Sequence, residues 1–168
     1  MSDRQTIESF DWQWKYLSND PSKFILESSI WRENVTDMIL DELGVDKIWL
    51  QGKRVLDVGC GHGRWAWGFL KLGCEVLGLD TSQAGVEYAQ RWEINARVLN
   101  LFDIPFTEKT GINLKQQFDI VWCWGVLHHT PDPELAFKSL VVAAKTRGLL
   151  HCYIYSRPRS MRVKVMRT

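Results

Sequence analysis

An apolar run that leads directly into three closely spaced glycines constrains the fold of this chain more than any other feature. Residues 55–64 read VLDVGCGHGR, a buried strand that ends in a loop. Glycine has no Cβ atom and adopts positive φ readily, so such a loop can turn sharply and place its backbone against a ligand. The helix predicted over residues 65–72 begins at this loop, and its first amide groups would face the same ligand.

Two carboxylates accompany this loop and indicate what the ligand contains. Asp57 precedes Gly59 by two residues, and Asp80 closes the next predicted strand, residues 75–80. In nucleotide-binding α/β folds an acid in this region binds ribose hydroxyls, so the sequence predicts a nucleoside cofactor. A dinucleotide enzyme would need its third glycine one residue later, where this chain has Arg64. The glycine spacing therefore argues against an NAD(P)-dependent oxidoreductase.

The glycine spacing and the two acids together resemble the class I S-adenosylmethionine-dependent methyltransferases, in particular the type 11-like group whose first motif is VLDxGCGxG. The resemblance continues along the chain in the order of that family's motifs. It implies an α/β fold, a doubly wound Rossmann-like parallel sheet with helices on both faces, and S-adenosyl-L-methionine as the cofactor. The residues that it assigns to cofactor binding are Asp57, Gly59, Cys60, Gly61, Gly63, Asp80, Thr81, Asn100, Leu101 and Trp124.

The resemblance also implies which part of the cofactor each residue contacts. The glycines cradle the methionine part, Asp57 organises the loop near the amino group, and Asp80 binds the ribose. Asn100 and Leu101 frame the adenine ring. The family has an acid where this chain has Asn100, and the amide carbonyl can accept the same hydrogen bond. Three residues further on, Asp103 is predicted to cap the following turn.

The loop after the fourth predicted strand, residues 118–124, contains two adjacent histidines. His128 and His129 match the family's VLHH pattern, and ligands of doubly wound sheets bind at this edge. Both are therefore candidate bases that would deprotonate an acceptor, although either could instead be held by backbone hydrogen bonds and shape the loop. Asp132 is predicted to cap the next helix. Some quinone-biosynthesis O-methyltransferases hold a metal here with the sequence ExxEH, but this chain lacks both acids, and no metal is predicted.

Aromatic residues are frequent, with nine tryptophans in the chain. Trp65, Trp67 and Trp122 are predicted to lie in the core. Trp124 has two interpretations, a core position or a position facing the sulfonium centre, where the indole quadrupole would stabilise the cation. The aromatic run at residues 10–16 predicts an N-terminal helix that either caps the active site or packs on the sheet.

Composition limits the classes of partner and compartment. The chain has a net charge of +1, whereas nucleic-acid-binding proteins usually carry a large positive charge. The predicted partner is therefore a small-molecule acceptor and not a nucleic acid. The cysteines at positions 60, 74, 123 and 152 form no CxxC or metal-binding pattern, which is typical of the reducing cytoplasm. No segment has the pattern of a signal peptide or a membrane span.

Three parts are predicted along the chain: an N-terminal helical cap over residues 1–50, the S-adenosylmethionine-binding core over 51–155, and a basic tail over 156–168. Complete folds of this class have seven strands, and the fifth is predicted at 148–155, so we expect a chain truncated after the fifth strand. The exposed edge of that strand predicts a homodimer. A truncated chain could alternatively be a non-catalytic cofactor-binding or interaction protein. The tail is either the start of a polar helix or a segment that binds anionic surfaces or phosphate groups.

Overall fold

A five-stranded parallel sheet forms the centre of the computed structural model, which describes residues 3–18 and 29–155. The strands are β1 (Arg54–Val58), β2 (Glu75–Asp80), β3 (Ala96–Val98), β4 (Phe118–Trp124) and β5 (Ala144–Tyr153). Their order across the sheet is β3-β2-β1-β4-β5, and each neighbouring pair is parallel. The strand order reverses between β1 and β4, which confirms the predicted doubly wound fold and marks the edge where ligands bind.

Helices cover both faces of this sheet. They are α1 (Asp3–Ser18), α2 (Ser29–Leu43), α3 (Lys47–Leu50), α4 (Arg64–Lys71), α5 (Gln83–Arg91), α6 (Thr107–Thr110) and α7 (Pro133–Ala143). On one face α2, α4 and α5 bury a core against the sheet, and on the other face α7 does so together with the short 3-10 helix Leu101–Asp103. The predicted cap of α7 is confirmed, since the Asp132 side chain accepts a hydrogen bond from the Leu135 N–H at 2.9 Å.

The second helix packs closely on α4 because α4 carries a glycine at the contact. A Cβ atom on Gly68 would lie 2.7 Å from Ile39 Cδ1 and 3.0 Å from Val35 Cγ2, and both of these α2 side chains are buried. Within residues 1–50, α2 therefore contributes to the core, whereas α1 lies at the carboxyl edge of the sheet. The two helices of the predicted N-terminal cap differ in what they cover.

The last strand begins four residues earlier than the sequence predicts and forms one edge of the sheet. Ala144 pairs with Phe118, and after a shift of register Leu149 pairs with Ile120. Arg147 has φ +65° within this irregular stretch, which interrupts the extended backbone between the two pairings. Among the described residues β5 pairs with β4 alone. The predicted basic tail, 156–168, lies outside the described residues.

Candidate functional site

A cavity of about 330 Å³ opens at the carboxyl edge of the sheet, beside the point where the strand order reverses. Loops after β1, β2, β3 and β4 contribute to its wall, and α1 covers it. Of the residues assigned to cofactor binding by resemblance, those that line the cavity are Gly59, Cys60, Asp80, Thr81, Asn100, Leu101 and Trp124. Asp57, Gly61 and Gly63 do not line it. The cavity thus brings together residues from four separate segments of the sequence.

Close packing around the glycine loop explains why it needs glycines. Gly59 has φ +75°, and a Cβ atom there would collide with the Cγ2 atom of Val126 in the loop after β4. Gly61 has φ +51°, and its Cβ atom would lie 2.7 Å from the Trp14 indole of α1. These positions combine left-handed backbone with neighbouring side chains that leave no room for a methyl group. The glycines therefore hold the loop against the loop after β4 and against α1, while the Gly59 backbone remains on the cavity wall.

Asp80, at the end of β2, is held in place by the backbone around it. Its Oδ2 atom accepts a hydrogen bond from the Gly61 N–H at 2.8 Å, and its Oδ1 atom accepts one from the Ser82 N–H at 2.8 Å. Burial raises the pKa of this carboxyl, and the hydrogen bonds from backbone amides oppose that shift. Each carboxylate oxygen can accept a further hydrogen bond, so Asp80 is suited to bind two adjacent hydroxyl groups.

Asp57 precedes the glycine loop, and its carboxyl group is buried. One carboxylate oxygen accepts a hydrogen bond from the Ala66 N–H at 3.0 Å, and the other has no hydrogen-bond partner among the described residues. Burial raises the pKa of Asp57 to about 7, with a smaller opposing contribution from the Ala66 hydrogen bond. Asp80 raises this pKa further and Arg64 lowers it. A cationic group near the loop would favour the ionised carboxylate.

The stability of the ligand-free protein is expected to depend on pH through Asp57. Its pKa is about 7 in the folded state, against the ordinary aspartate value of 3.8, so the folded state binds the extra proton between these values. Protonation of Asp57 therefore stabilises the folded state fully below about pH 4, and this contribution is lost as the pH rises through 7. From pH 5 to pH 8 we expect wild type to lose about 2 to 3 kcal/mol relative to Asp57→Asn, measured by urea unfolding. Parallel pH profiles of the two proteins would contradict this.

The residues predicted to frame adenine lie at the start of the 3-10 helix. The Asn100 side-chain oxygen accepts a hydrogen bond from the Phe102 N–H at 3.1 Å, and Leu101 is buried beside it. The prediction that Asp103 caps the following turn is wrong. Its carboxylate pairs with the Lys109 ammonium group at 3.0 Å, and the turn is closed by a backbone bond from the Phe106 N–H to the Asp103 carbonyl.

An aromatic block on β4 and β5 holds Trp124 in position. The indole stacks on the Tyr153 ring with centroids 4.0 Å apart and planes 6° apart, and the Trp65 ring lies 4.6 Å away at 41°. Two residues earlier on the same two strands, the Trp122 ring stacks on the His151 ring, with centroids 4.0 Å apart. Trp122 is buried as predicted, whereas Trp124 reaches the cavity. Since Tyr153 covers one face of the Trp124 indole, a cation in the cavity can approach only the remaining surface of that ring.

The two candidate bases occupy different positions, although they are adjacent in sequence. His129 lines the cavity, where its ring lies 5.2 Å from the Phe10 ring of α1. His128 does not line the cavity, and both of its ring nitrogens are buried without a hydrogen-bond partner among the described residues. Burial and the neighbouring His129 lower the pKa of His128. His129 is thus the histidine of this pair that can reach a molecule in the cavity.

Contacts from α1 to the glycine loop and to α5 fix the cover of the cavity. The Asp11 carboxylate accepts a hydrogen bond from the Ser82 hydroxyl at 2.9 Å. The His62 ring lies between Trp14, at 4.3 Å, and Tyr88, at 4.6 Å, and burial lowers the pKa of His62 to about 4. Of the aromatic run at residues 10–16, Phe10 and Trp14 thus line the cavity and Trp14 contacts the glycine loop, whereas Trp12 and Tyr16 are exposed.

Arg64 lines the cavity, although the sequence indicated only that it replaces the third glycine of a dinucleotide site. It is the first residue of α4 and directly follows the glycine loop, which is the signal that could have identified it. Within residues 3–18 and 29–155, no group of three or more histidine, cysteine, aspartate or glutamate side chains could hold a metal ion. The expectation that the site lacks a metal stays a prediction.

Comparison with known proteins agrees with this architecture. A family described as a methyltransferase domain matches residues 56–150. A ubiquinone biosynthesis O-methyltransferase from Alkalilimnicola ehrlichii is 34% identical over 99 residues, which cover 59% of this chain and 40% of that protein. One from Acinetobacter baylyi is 36% identical over 101 residues, covering 59% and 42%. The chain spans about two fifths of the length of these curated relatives.

Solved structures show the same fold at lower sequence identity. The PH0226 protein from Pyrococcus horikoshii superimposes with a TM-score of 0.65 over 91% of this chain and 69% of that chain, at 19% identity. The YcgJ protein from Bacillus subtilis superimposes with a TM-score of 0.55 over 73% and 54%, at 24% identity. The match to the family covers more than half of the sequence. The chain therefore belongs to the methyltransferase domain family.

Proposed function

We propose that this chain binds S-adenosylmethionine in the cavity and transfers its methyl group to a small-molecule acceptor. The observation that carries the proposal is Asp80, whose two carboxylate oxygens are fixed by backbone N–H groups at the cavity wall and remain able to accept hydroxyl protons. Asp80 and Thr81 would hold the ribose, Asn100 and Leu101 would border adenine, and the Gly59 loop would lie against the methionine part. The residues present fit the cofactor.

The chain has a limited set of tasks in such a reaction. The cofactor supplies the electrophilic methyl group, so the protein must align a nucleophile, exclude water and accept a proton where the nucleophile carries one. Phe10 and Trp14 of α1 cover the cavity and would exclude water. Trp124 would border the sulfonium with the part of its indole that faces the cavity. His129 would accept the proton of the acceptor.

The names of the relatives favour an oxygen nucleophile on the acceptor. Both relatives described above are named O-methyltransferases. A volume of about 330 Å³ lies near the lower limit for small-molecule sites, which favours a small acceptor. The direct test is incubation of the chain with methyl-labelled S-adenosylmethionine and a panel of phenols, amines and carboxylic acids. Label in a phenol, with release of S-adenosylhomocysteine, supports the proposal. Cofactor binding without turnover of any acceptor would support a non-catalytic binding protein.

The roles of the two histidines can be separated by kinetics. We expect His129→Ala to lower kcat about 100-fold or more on a hydroxyl acceptor, because a positioned base contributes about 10²- to 10⁴-fold. Its Kd for S-adenosylhomocysteine should change less than threefold, a limit of roughly 0.6 kcal/mol. His128→Ala is the matched control, since this neighbouring ring does not line the cavity. Equal losses of kcat in the two variants would contradict the assignment of His129.

We propose that α1 serves as the cap of the site and that residues 51–155 form the cofactor-binding core. We also propose that the edge of β5 mediates a homodimer, supported by the absence of a further strand beside it among the described residues.

The described cysteines are all free thiols, which supports the cytoplasm as the compartment. No helix within the described ranges is long and apolar enough to cross a membrane.

A further inference from the structure

Arg64 is the one arginine or lysine among the described residues that line the cavity. The other formally charged residue in the wall is Asp80, at the end of β2, where its carboxylate accepts a hydrogen bond from the Gly61 N–H. The wall is otherwise built from neutral side chains, backbone and two histidines. A half-buried guanidinium group among mostly neutral groups attracts an anion more strongly than one in open water, because its charge is screened less.

The position of Arg64 is fixed by its neighbours. It begins α4 directly after Gly63, whose φ of +84° turns the chain from the loop into the helix. Its guanidinium carbon lies 4.3 Å from the centre of the Trp65 ring, a cation–π contact that limits the freedom of the side chain. Burial lowers the pKa of Arg64, while the charges of Asp57 and Tyr155 oppose this shift. The contact with Trp65 therefore restrains the guanidinium group before a ligand arrives.

We propose that Arg64 binds the carboxylate of the amino acid part of the cofactor and so selects adenosyl ligands that carry this carboxylate. The inference rests on the proposed function. The methionine part bears an ammonium and a carboxylate on one carbon atom. Asp57 provides a buried acid beneath the glycine loop, and Arg64 provides a cation at its end, so the loop matches both charges of this zwitterion. A guanidinium group can also bind a carboxylate through two parallel hydrogen bonds.

A pair of ligands isolates the contribution of Arg64. S-adenosylhomocysteine contains the amino acid part, and 5′-methylthioadenosine has the same nucleoside and sulfur without it. We expect Arg64→Gln to raise the Kd for S-adenosylhomocysteine about 10- to 100-fold, the usual range for loss of hydrogen bonds between charged groups. The Kd for 5′-methylthioadenosine should change less than threefold, roughly 0.6 kcal/mol or less. Calorimetric titration of each protein with both ligands gives all four constants.

Two control variants separate the carboxylate contact from other effects of the substitution. Arg64→Lys keeps the positive charge but cannot donate two parallel hydrogen bonds to a carboxylate. It should therefore retain part of the preference for S-adenosylhomocysteine that Arg64→Gln loses. Lys71→Gln removes a cation from the exposed far end of α4 and should leave both constants unchanged. Equal weakening of both ligands by Arg64→Gln would overturn the inference in favour of a structural role for this arginine.

The outcomes also distinguish this inference from the function on which it rests. If wild type is folded and binds neither ligand, the proposed cofactor site is wrong. If wild type binds both ligands and Arg64→Gln binds both equally well, the cofactor site stands and the carboxylate contact does not. Should Arg64→Gln instead lower turnover only for acceptors that bear a carboxylate, with cofactor affinity intact, the anion at Arg64 belongs to the acceptor, and the inference as stated is overturned.

Discussion

Gly59→Ala is expected to destabilise the folded chain by about 2 to 5 kcal/mol. A non-glycine residue held near φ +75° costs about 1 to 2 kcal/mol, and forcing an extra methyl group into a packed region costs about 1 to 3 kcal/mol. The methyl group would collide with Val126, so the loop after β1 and the loop after β4 would have to separate. Because both loops line the cavity, binding of S-adenosylhomocysteine should weaken as well. Urea unfolding followed by circular dichroism measures the first effect.

A matched control separates backbone strain from the collision. Gly111 has φ +69°, similar to Gly59, but a Cβ atom at Gly111 would meet no atom within 4 Å. Gly111→Ala should therefore lower the free energy of unfolding only by the cost of the strained backbone, about 1 to 2 kcal/mol. Adding Val126→Ala to Gly59→Ala should recover part of the lost stability, since it removes the colliding methyl group. Equal destabilisation by Gly59→Ala and Gly111→Ala would show that these two loops pack too loosely for the collision to matter.

Asp80→Asn is expected to weaken binding of S-adenosylhomocysteine about 100-fold or more. The asparagine side chain has one oxygen where the carboxylate has two, so it loses either a backbone contact or a ribose contact, and the remaining hydrogen bonds lack the assistance of charge. Hydrogen bonds to a charged group each contribute about 1.5 to 3 kcal/mol, and a loss of 100-fold corresponds to about 2.7 kcal/mol. Calorimetric titration gives the affinity directly.

Asp103→Asn is the control for this loss of a negative charge. Asp103 lies close in sequence to the adenine-framing residues, but its carboxylate pairs with Lys109 and does not line the cavity. This variant should bind S-adenosylhomocysteine within about threefold of wild type, roughly 0.6 kcal/mol. If Asp80→Asn and Asp103→Asn bind equally well, Asp80 does not hold the ribose.

The parts of the fold with strong local signals could be predicted from the sequence. The bounds of β4, Phe118–Trp124, match the prediction, because an apolar run between polar segments leaves little ambiguity about a buried strand. The cap of α7 by Asp132 was predictable for a similar reason, since a short polar side chain directly before a proline and an apolar helix is a local pattern. The glycine loop and Asp80 likewise depend on residue type and spacing alone.

Other features depend on contacts between distant residues and left no local pattern. The early start of β5 at Ala144 comes from pairing with Phe118 across the sheet. No periodicity decides which of His128 and His129 faces the cavity, because the short 3-10 helix that contains them is oriented by the packing of its neighbours. The turn after Asp103 is closed by the backbone, so the residue type of Asp103 was a misleading signal.

Calorimetric titration of the wild-type chain with S-adenosylhomocysteine and, separately, with NAD shows whether this cavity holds an adenosyl cofactor of the methyltransferase type. We expect one S-adenosylhomocysteine molecule per chain, with a Kd on the order of micromolar, and no measurable binding of NAD. Binding of NAD in preference to S-adenosylhomocysteine, or failure of a folded chain to bind S-adenosylhomocysteine at all, would contradict it.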